Sequence, residues 1–312
     1  MGTKCSVSIN HFINQKKVQD TLFSEIEARL IDIENKMSIY KEDSEISQIN
    51  KYGFIEPVKV SDDTFEVIKS GYYYSELSNG VFDITVGSIV KLWNVSGENP
   101  KVPTEDQIKE ALNRVGYQNI ILYDDKRVGL KKEGVVIDLG GIAKGYATDE
   151  IRKILLENGI KSAIINLGGN IFVIGEKDSG KKWKVGIQNP LGHYGEYVAI
   201  IEVSDETVVT SGSYERFFKS NGKVYHHIFD TKNGYPKETD LLSATIIAKN
   251  STKADALSTT LFILGSDYGF DFIKQFDDIY AIFITKNKDI IATDGIQNRL
   301  TINDNSFNLV SR

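Results

Sequence analysis

Leu22, Ile26, Leu30 and Ile33 recur at three- and four-residue intervals with polar residues between them. That spacing predicts an amphipathic helix over about 17–36. The segment before it, TKCSVSIN at 3–10, reads as a strand, so the chain opens on core structure. Residues 37–50 are short, polar and irregular, which predicts a loop with a turn of helix. A second helix is expected over 63–78, closed by Asn79 and Gly80, the residue pair that tolerates a left-handed C-terminal cap. Thr104, with Pro103 before it and Gln107 three residues on, forms a capping box opening a helix to about 115. Residues 134–139 read as a strand, 142–158 as a helix closed by Asn158 and Gly159, and 161–167 as another strand.

From about residue 170 the apolar runs shorten and the pattern becomes strand-rich. Strands are expected at 171–175, 183–188, 197–203, 207–210, 223–229, 242–249, 279–286 and 289–293. One long helical segment, 252–264, ends at Gly265, with a second near 267–276. The hairpin spacing of TKNKDII implies antiparallel pairing. Strands and helices are mixed without regular alternation, which favours an α+β fold over a doubly wound sheet. No Pro/Gly/Ser linker divides the chain. It reads as a single domain over 1–312, of two interlocked subdomains with a soft boundary near 165–180.

Composition narrows the function. With 41% hydrophobic residues in 312, the chain can bury a sizeable core. No apolar run approaches the ~20 residues a membrane helix needs. Lys and Arg number 37 against 43 Asp and Glu, and a net charge of −6 argues against a nucleic-acid binder. One cysteine, Cys5, excludes an intrachain disulfide. Residues 1–20 lack a basic start followed by an apolar stretch.

Several short segments carry chemistry. Asp138-Leu-Gly-Gly-Ile-Ala-Lys-Gly145 lies where a strand is expected to pass into a helix. Its glycines permit close backbone approach, a helix N-terminus attracts phosphate, and Lys144 adds a positive charge. It is neither a G-x-G-x-x-G fingerprint nor a Walker loop, since Tyr146 stands where the lysine belongs; a tight strand-to-helix turn explains it equally well. Asp255 and Thr259 lie four apart on a helix, so carboxylate and hydroxyl can converge as hard oxygen ligands suited to Mg²⁺. A dipole-favoured Asp beside a packed Thr is the plainer alternative. His226 and His227 face opposite sides of a strand that runs into a turn at Asp230. No H-e-x-x-h zinc pattern and no G-x-S-x-G elbow occurs. Arg216, after Thr210-Ser-Gly-Ser-Tyr-Glu, reads as solvated.

Taken in order, these blocks resemble one family. Met1-Gly-Thr, Met37-Ser-Ile-Tyr40 with Ser44-Glu-Ile-Ser and Asn50, and Phe82-Asp-Ile-Thr-Val-Gly87 with Leu92-Trp93 are similar to the ApbE-type flavin transferases. Asp138-Leu-Gly-Gly-Ile-Ala-Lys-Gly-Tyr-Ala147, Asn166-Leu-Gly-Gly-Asn170 and Thr210 to Arg216 continue the match. His227-Ile-Phe-Asp230 with Gly234-Tyr-Pro236, and Asp255-Ala-Leu-Ser-Thr-Thr260, complete it over most of residues 1–265.

The resemblance implies a T-fold-like α+β arrangement of antiparallel sheets and packed helices, with two interlocked subdomains around a flavin cleft. It implies Mg²⁺-dependent transfer of FMN from FAD to a Thr or Ser hydroxyl of an acceptor protein, with AMP released. Asp255, Thr259 and the Gly141 carbonyl match metal ligands. Met1, Tyr40, Val81, Phe82, Asp83, Asp138, Lys144 and Phe229 match positions that contact flavin or adenine. His227 matches a histidine proposed to assist transfer, with Asp230 as the fallback base. The sequence departs from the family at Thr231, where Pro is common, and at Lys144, where some members carry Glu. Hydrolysis of FAD to FMN and AMP, and non-catalytic flavin binding, are the alternatives. In exported members Met1-Gly-Thr follows a membrane anchor. The expectation is therefore an extracytoplasmic, anchored protein whose targeting segment lies outside this chain, or a cytoplasmic one if Met1 is the native start.

Overall fold

The structure is a computed structural model, and it describes residues 3–10, 16–177, 180–193 and 195–310. Seven α-helices occur among them: α1 (Lys16–Met37), α2 (Glu45–Tyr52), α3 (Asp62–Leu77), α4 (Gly87–Trp93), α5 (Glu105–Leu112), α6 (Ala143–Glu157) and α7 (Ser251–Ile273). They accompany largely antiparallel sheets, so the fold is α+β. No helix among the described residues is long and apolar enough to cross a membrane. The chain forms two compact units. The first holds Met1–Ile31, Lys144–Gly212 and Thr239–Arg312; the second holds Asp32–Ala143 and Ser213–Glu238. Residues 165–180 lie wholly within the first.

The first unit is built on an eight-stranded sheet. Its strands, in spatial order, are Cys5–Ile9, Ala163–Leu167, Asn170–Ile174, Thr207–Gly212, Leu241–Ala248, Tyr280–Thr285, Asp289–Ala292 and Asn308–Val310. Every pairing is antiparallel except the last. Alternation along the strands gives the sheet two apolar faces. Ile247, Ile282, Ile284 and Val173 pack with Val185, Ile187, Val198 and Ile201 of a smaller sheet formed by Trp183–Gln188, Tyr197–Val203 and Leu300–Ile302. α7 lies against Thr207–Gly212 and Leu241–Ala248. Most of α7 is buried, which is why its sequence is apolar nearly all round.

α7 carries a break at Gly265, where φ is 82° and ψ 179°. The sequence expectation of one helix ending there and another beginning is met as a kink. Asp240 caps the second half: its carboxylate accepts the Ser266 N–H at 3.1 Å and the Thr239 hydroxyl at 3.2 Å. Burial pushes the Asp240 carboxyl up, but these hydrogen bonds outweigh it and hold it below the ordinary carboxylate range. A depressed folded-state value contributes stability above the unfolded value, near 3.9, that is lost as pH falls through the folded one. The melting temperature of Asp240→Ala is therefore expected to lie below wild type at pH 7. The gap should close as both proteins are taken toward pH 2. A gap independent of pH would assign the stabilisation to something other than the ionised cap.

In the second unit, α4 buries Trp93 completely among Ile89, Val95, Ile108 and Phe229. Its indole N–H donates to the Gly234 carbonyl at 2.8 Å, and Phe218, Tyr225 and Tyr235 surround the ring. Phe218 and Tyr225 face each other across the hairpin of Phe217–Ser220 and Lys223–His226. The Thr104 capping box forms with both of its hydrogen bonds. Asn79 and Gly80 take φ of 53° and 76° after α3, the left-handed stop their residue types predict.

Three sequence expectations are corrected here. Residues 37–50 contain the start of a regular helix, α2, capped by Ser44, with Ile46 and Ile49 fully buried. Residues 134–139 are not a ladder strand. Val135, Ile137 and Leu139 alternate inward as a strand would, yet only Val136 bridges, to Val86. Asn50 takes the place of a neighbouring strand: its side chain accepts the Ile137 N–H at 2.7 Å and donates to the Ile137 carbonyl at 3.0 Å. The strand expected over 223–229 stops at His226. The His226 Nδ1 accepts the Ile228 N–H there, at 3.2 Å, and that N–H leaves the ladder.

Candidate active site

In the first unit, the N-terminal ends of α6 and α7 meet. Asp149 on α6 receives the first free N–H groups of α7, from Ser251 at 3.0 Å and Thr252 at 2.8 Å, and the Thr252 hydroxyl at 2.7 Å. A helix start leaves such donors unpaired, and a carboxylate satisfies both them and the dipole. Burial nevertheless raises the Asp149 carboxyl. Ser251 extends the network to Asn170 and Thr207, each at 2.7 Å.

Asp255 lies one turn further along α7 and is 2% exposed. It reciprocates the arrangement. One of its oxygens, Oδ2, accepts the Gly145 N–H in the first turn of α6 at 2.9 Å; the other, Oδ1, lies 3.2 Å from the Lys144 ammonium. Thr259 follows on the same face, with its hydroxyl 3.2 Å from Ser211 Oγ, itself 2.8 Å from Ser258 Oγ. Gly145 makes the meeting possible, because a Cβ there would sit 2.2 Å from the Ser251 carbonyl oxygen.

These groups suit a hard divalent cation. Among the described residues no group of three or more His, Cys, Asp or Glu gathers. An ion held here would therefore rest on one carboxylate, neutral oxygens and water, the donor set that Mg²⁺ accepts. Gly141, the third position implied by the resemblance, follows Gly140 in the turn before α6 and belongs to the second unit.

The second unit holds the remaining positions. Asp138 donates its N–H to the Ile84 carbonyl at 2.7 Å and accepts the Gly140 N–H at 2.8 Å. Desolvation raises its carboxyl, opposed by the positive charges of Lys91 and Arg216. Tyr40 is 69% exposed as a residue, and its hydroxyl is raised first by desolvation and then by the Asp138 charge. Asp138, Tyr40, Lys91 and Arg216 thus share one electrostatic neighbourhood. The sequence did not single out Lys91, and no spacing signal marks it.

Asp83, Phe82 and Phe229 are each 5% exposed. Asp83 accepts the Thr85 N–H at 2.8 Å, the Thr85 hydroxyl at 2.6 Å and the Tyr117 N–H at 2.8 Å, while burial raises its carboxyl. Its hydrogen bonds brace the backbone, and Phe229 packs on Trp93. Val81 is partly exposed beside them. Met1 lies outside the described residues.

His226 is buried, with Nε2 3.0 Å from the Lys237 carbonyl. His227 follows the last residue of that strand and is half-buried. Its Nδ1 lies 3.2 Å from the Arg216 carbonyl oxygen, which can only accept, so Nδ1 carries the hydrogen. Asp230 is committed to its turn: it accepts the Lys232 N–H and the Lys237 ammonium, each at 2.9 Å. Thr231, where the family often has Pro, donates its hydroxyl to the Gly80 carbonyl at 2.7 Å.

The model of the ApbE family matches residues 1–283. A FAD:protein FMN transferase of Treponema pallidum is 35% identical over 98% of this chain and 88% of its own length. One of Klebsiella pneumoniae is 34% identical over 89% and 86%. Among solved structures, the ApbE protein of Thermotoga maritima superposes with a TM-score of 0.84 at 36% identity, over 94% of each chain. The flavin transferase ApbE of Vibrio cholerae does so with 0.84 at 28% identity, over 96% of each.

Proposed function

The chain belongs to the ApbE family, and from that membership we infer that it is a FAD:protein FMN transferase acting on FAD and an acceptor protein. The finer reading is that FMN goes to a Thr or Ser hydroxyl with AMP as the leaving group. A P–O bond forms between the acceptor oxygen and the FMN phosphorus as the diphosphate P–O bond to AMP breaks. The hydroxyl proton passes to a base on the enzyme, and the departing AMP oxygen remains as phosphate.

The observation that carries this reading is the Asp255 carboxylate and Thr259 hydroxyl, one turn apart on α7 beside the first turn of α6. Phosphoryl-type transfer asks for charge neutralisation and positioning more than for a covalent nucleophile. Asp255 and Thr259 would hold Mg²⁺, which when bound supplies that neutralisation at the diphosphate. Asp138 and Tyr40 present a carboxyl and a phenol to the nucleotide. His227 takes the acceptor proton: with Nδ1 protonated toward Arg216, the neutral ring carries its lone pair on Nε2.

Incubation with FAD, Mg²⁺ and an acceptor domain is expected to give a fluorescent flavin band on the acceptor in a denaturing gel. AMP should appear in equal amount. AMP release at the same rate without acceptor would replace transfer by hydrolysis, and a bound flavin with no product would leave only a carrier. His227→Gln is expected to slow transfer by roughly 10²-fold, the usual worth of a positioned base, with FAD affinity unchanged. Full activity in that variant would remove His227 as the base.

A further inference from the structure

We propose that Lys144 is a resident counter-ion for Asp255, exchanged for the divalent cation when the ion binds; the proposal rests on Asp255 and Thr259 being the metal ligands. A carboxylate as buried as Asp255 is costly to leave without a counter-charge. In this structure one oxygen is held by the Gly145 N–H, and the other is 3.2 Å from the Lys144 ammonium. The two partners differ in kind. The Gly145 N–H is fixed by the α6 backbone and by the Ser251 carbonyl pressed against its Cα. The ammonium sits on a flexible four-carbon stem whose side chain is 27% exposed, so it has a way out to water.

A cation on this carboxylate would stand about 2.1 Å from the oxygen it ligates. It would share that oxygen with an ammonium already in hydrogen-bonding range, and the two positive charges would repel at short distance in a poorly screened place. Gly145 cannot yield, so Lys144 does. Ser211 meanwhile holds the Thr259 hydroxyl in line one turn away. Lys144 thereby serves as a positioning residue: it keeps the acidic ligand in its bound orientation without the ion, and it sets the affinity by competing for the same charge.

The measurement is a titration of the full flavin-free chain with Mn²⁺, followed by electron paramagnetic resonance. Lys144→Met, which keeps the length and removes the charge, should bind Mn²⁺ roughly fivefold more tightly than wild type, the upper end for one partly exposed ion pair. Lys144→Arg should stay near wild type. A purely structural salt bridge predicts the opposite, a Met variant whose Mn²⁺ affinity is unchanged or weaker, and either result overturns the proposal. Should the Met variant not fold, the Lys144 Cε resonance of 13C-lysine-labelled wild type, assigned through Lys144→Arg, reports the same event. It should shift on adding Mg²⁺, and an unmoved resonance overturns the exchange. Asp255→Asn separates the two levels of the argument. If it binds Mn²⁺ as wild type does, the metal reading itself fails; if it loses the ion while Lys144→Met shows no gain, only the exchange fails.

Discussion

Asp255→Asn is expected to lower FMN transfer on the order of 10³-fold or more while the protein stays folded. The carboxamide has almost the same shape, and its oxygen can still accept the Gly145 N–H now held at 2.9 Å. What it lacks is the charge that faces Lys144 and would hold a cation. Removing a metal's contribution to a developing phosphoryl charge forfeits several kcal/mol of barrier lowering, and each ~1.4 kcal/mol is tenfold in rate. Lys144 loses its partner but is not stranded, because its side chain can turn to solvent. The check is flavin fluorescence on an acceptor domain over a range of Mg²⁺, beside a melting curve followed by circular dichroism. Activity within tenfold of wild type would take Asp255 out of the chemistry; a collapsed melting curve would assign it to the fold instead.

Gly145→Ala should damage both stability and activity through one methyl group. The added Cβ would lie 2.2 Å from the Ser251 carbonyl oxygen and 2.7 Å from the Thr252 Cα, both of them backbone. Neither neighbour can swing aside as a side chain would. The start of α6 must then move away from the start of α7, and overpacking of this kind costs about 3 kcal/mol or more. A fall in melting temperature of roughly 5–10 °C follows for a chain of this size. The same shift lengthens the Gly145 N–H bond to Asp255 and disturbs the three hydrogen bonds that Asp149 makes to Ser251 and Thr252. Transfer should therefore drop even at temperatures where the variant is fully folded. Gly159→Ala is the control. Its positive φ carries its own strain, but a Cβ there meets nothing within 4 Å. It should melt earlier and yet transfer FMN at the wild-type rate. Equal activity in the two glycine variants would show that the α6–α7 contact is not needed for catalysis.

Local signals were legible wherever local chemistry decides the outcome. The Thr104 capping box, the Asn79-Gly80 stop and the Gly265 break were all readable, since each depends on residues a few positions apart. The Asp255–Thr259 face was readable for the same reason. Where long-range hydrogen bonds decide, periodicity misled. Residues 134–139 have the burial rhythm of a strand, but the bonds of Ile137 go to Asn50, 87 positions away in sequence. α2 was hidden because its polar residues mask only two core positions, Ile46 and Ile49, which burial reveals.

The sequence by itself determined the α+β class, most element positions and the order of blocks that marks the family. It also set Asp255 and Thr259 four apart on α7 and the glycines in the turn before α6. Only the tertiary structure decided what those residues do to one another. It joined Lys144 and Gly145 to Asp255 across 110 or more positions, turned His226 inward and His227 toward Arg216, and committed Asp230 to its own turn. The reason is range. Helix periodicity and caps act over one or two turns of chain, whereas a buried carboxylate takes whichever donors the packed backbone brings within about 3 Å.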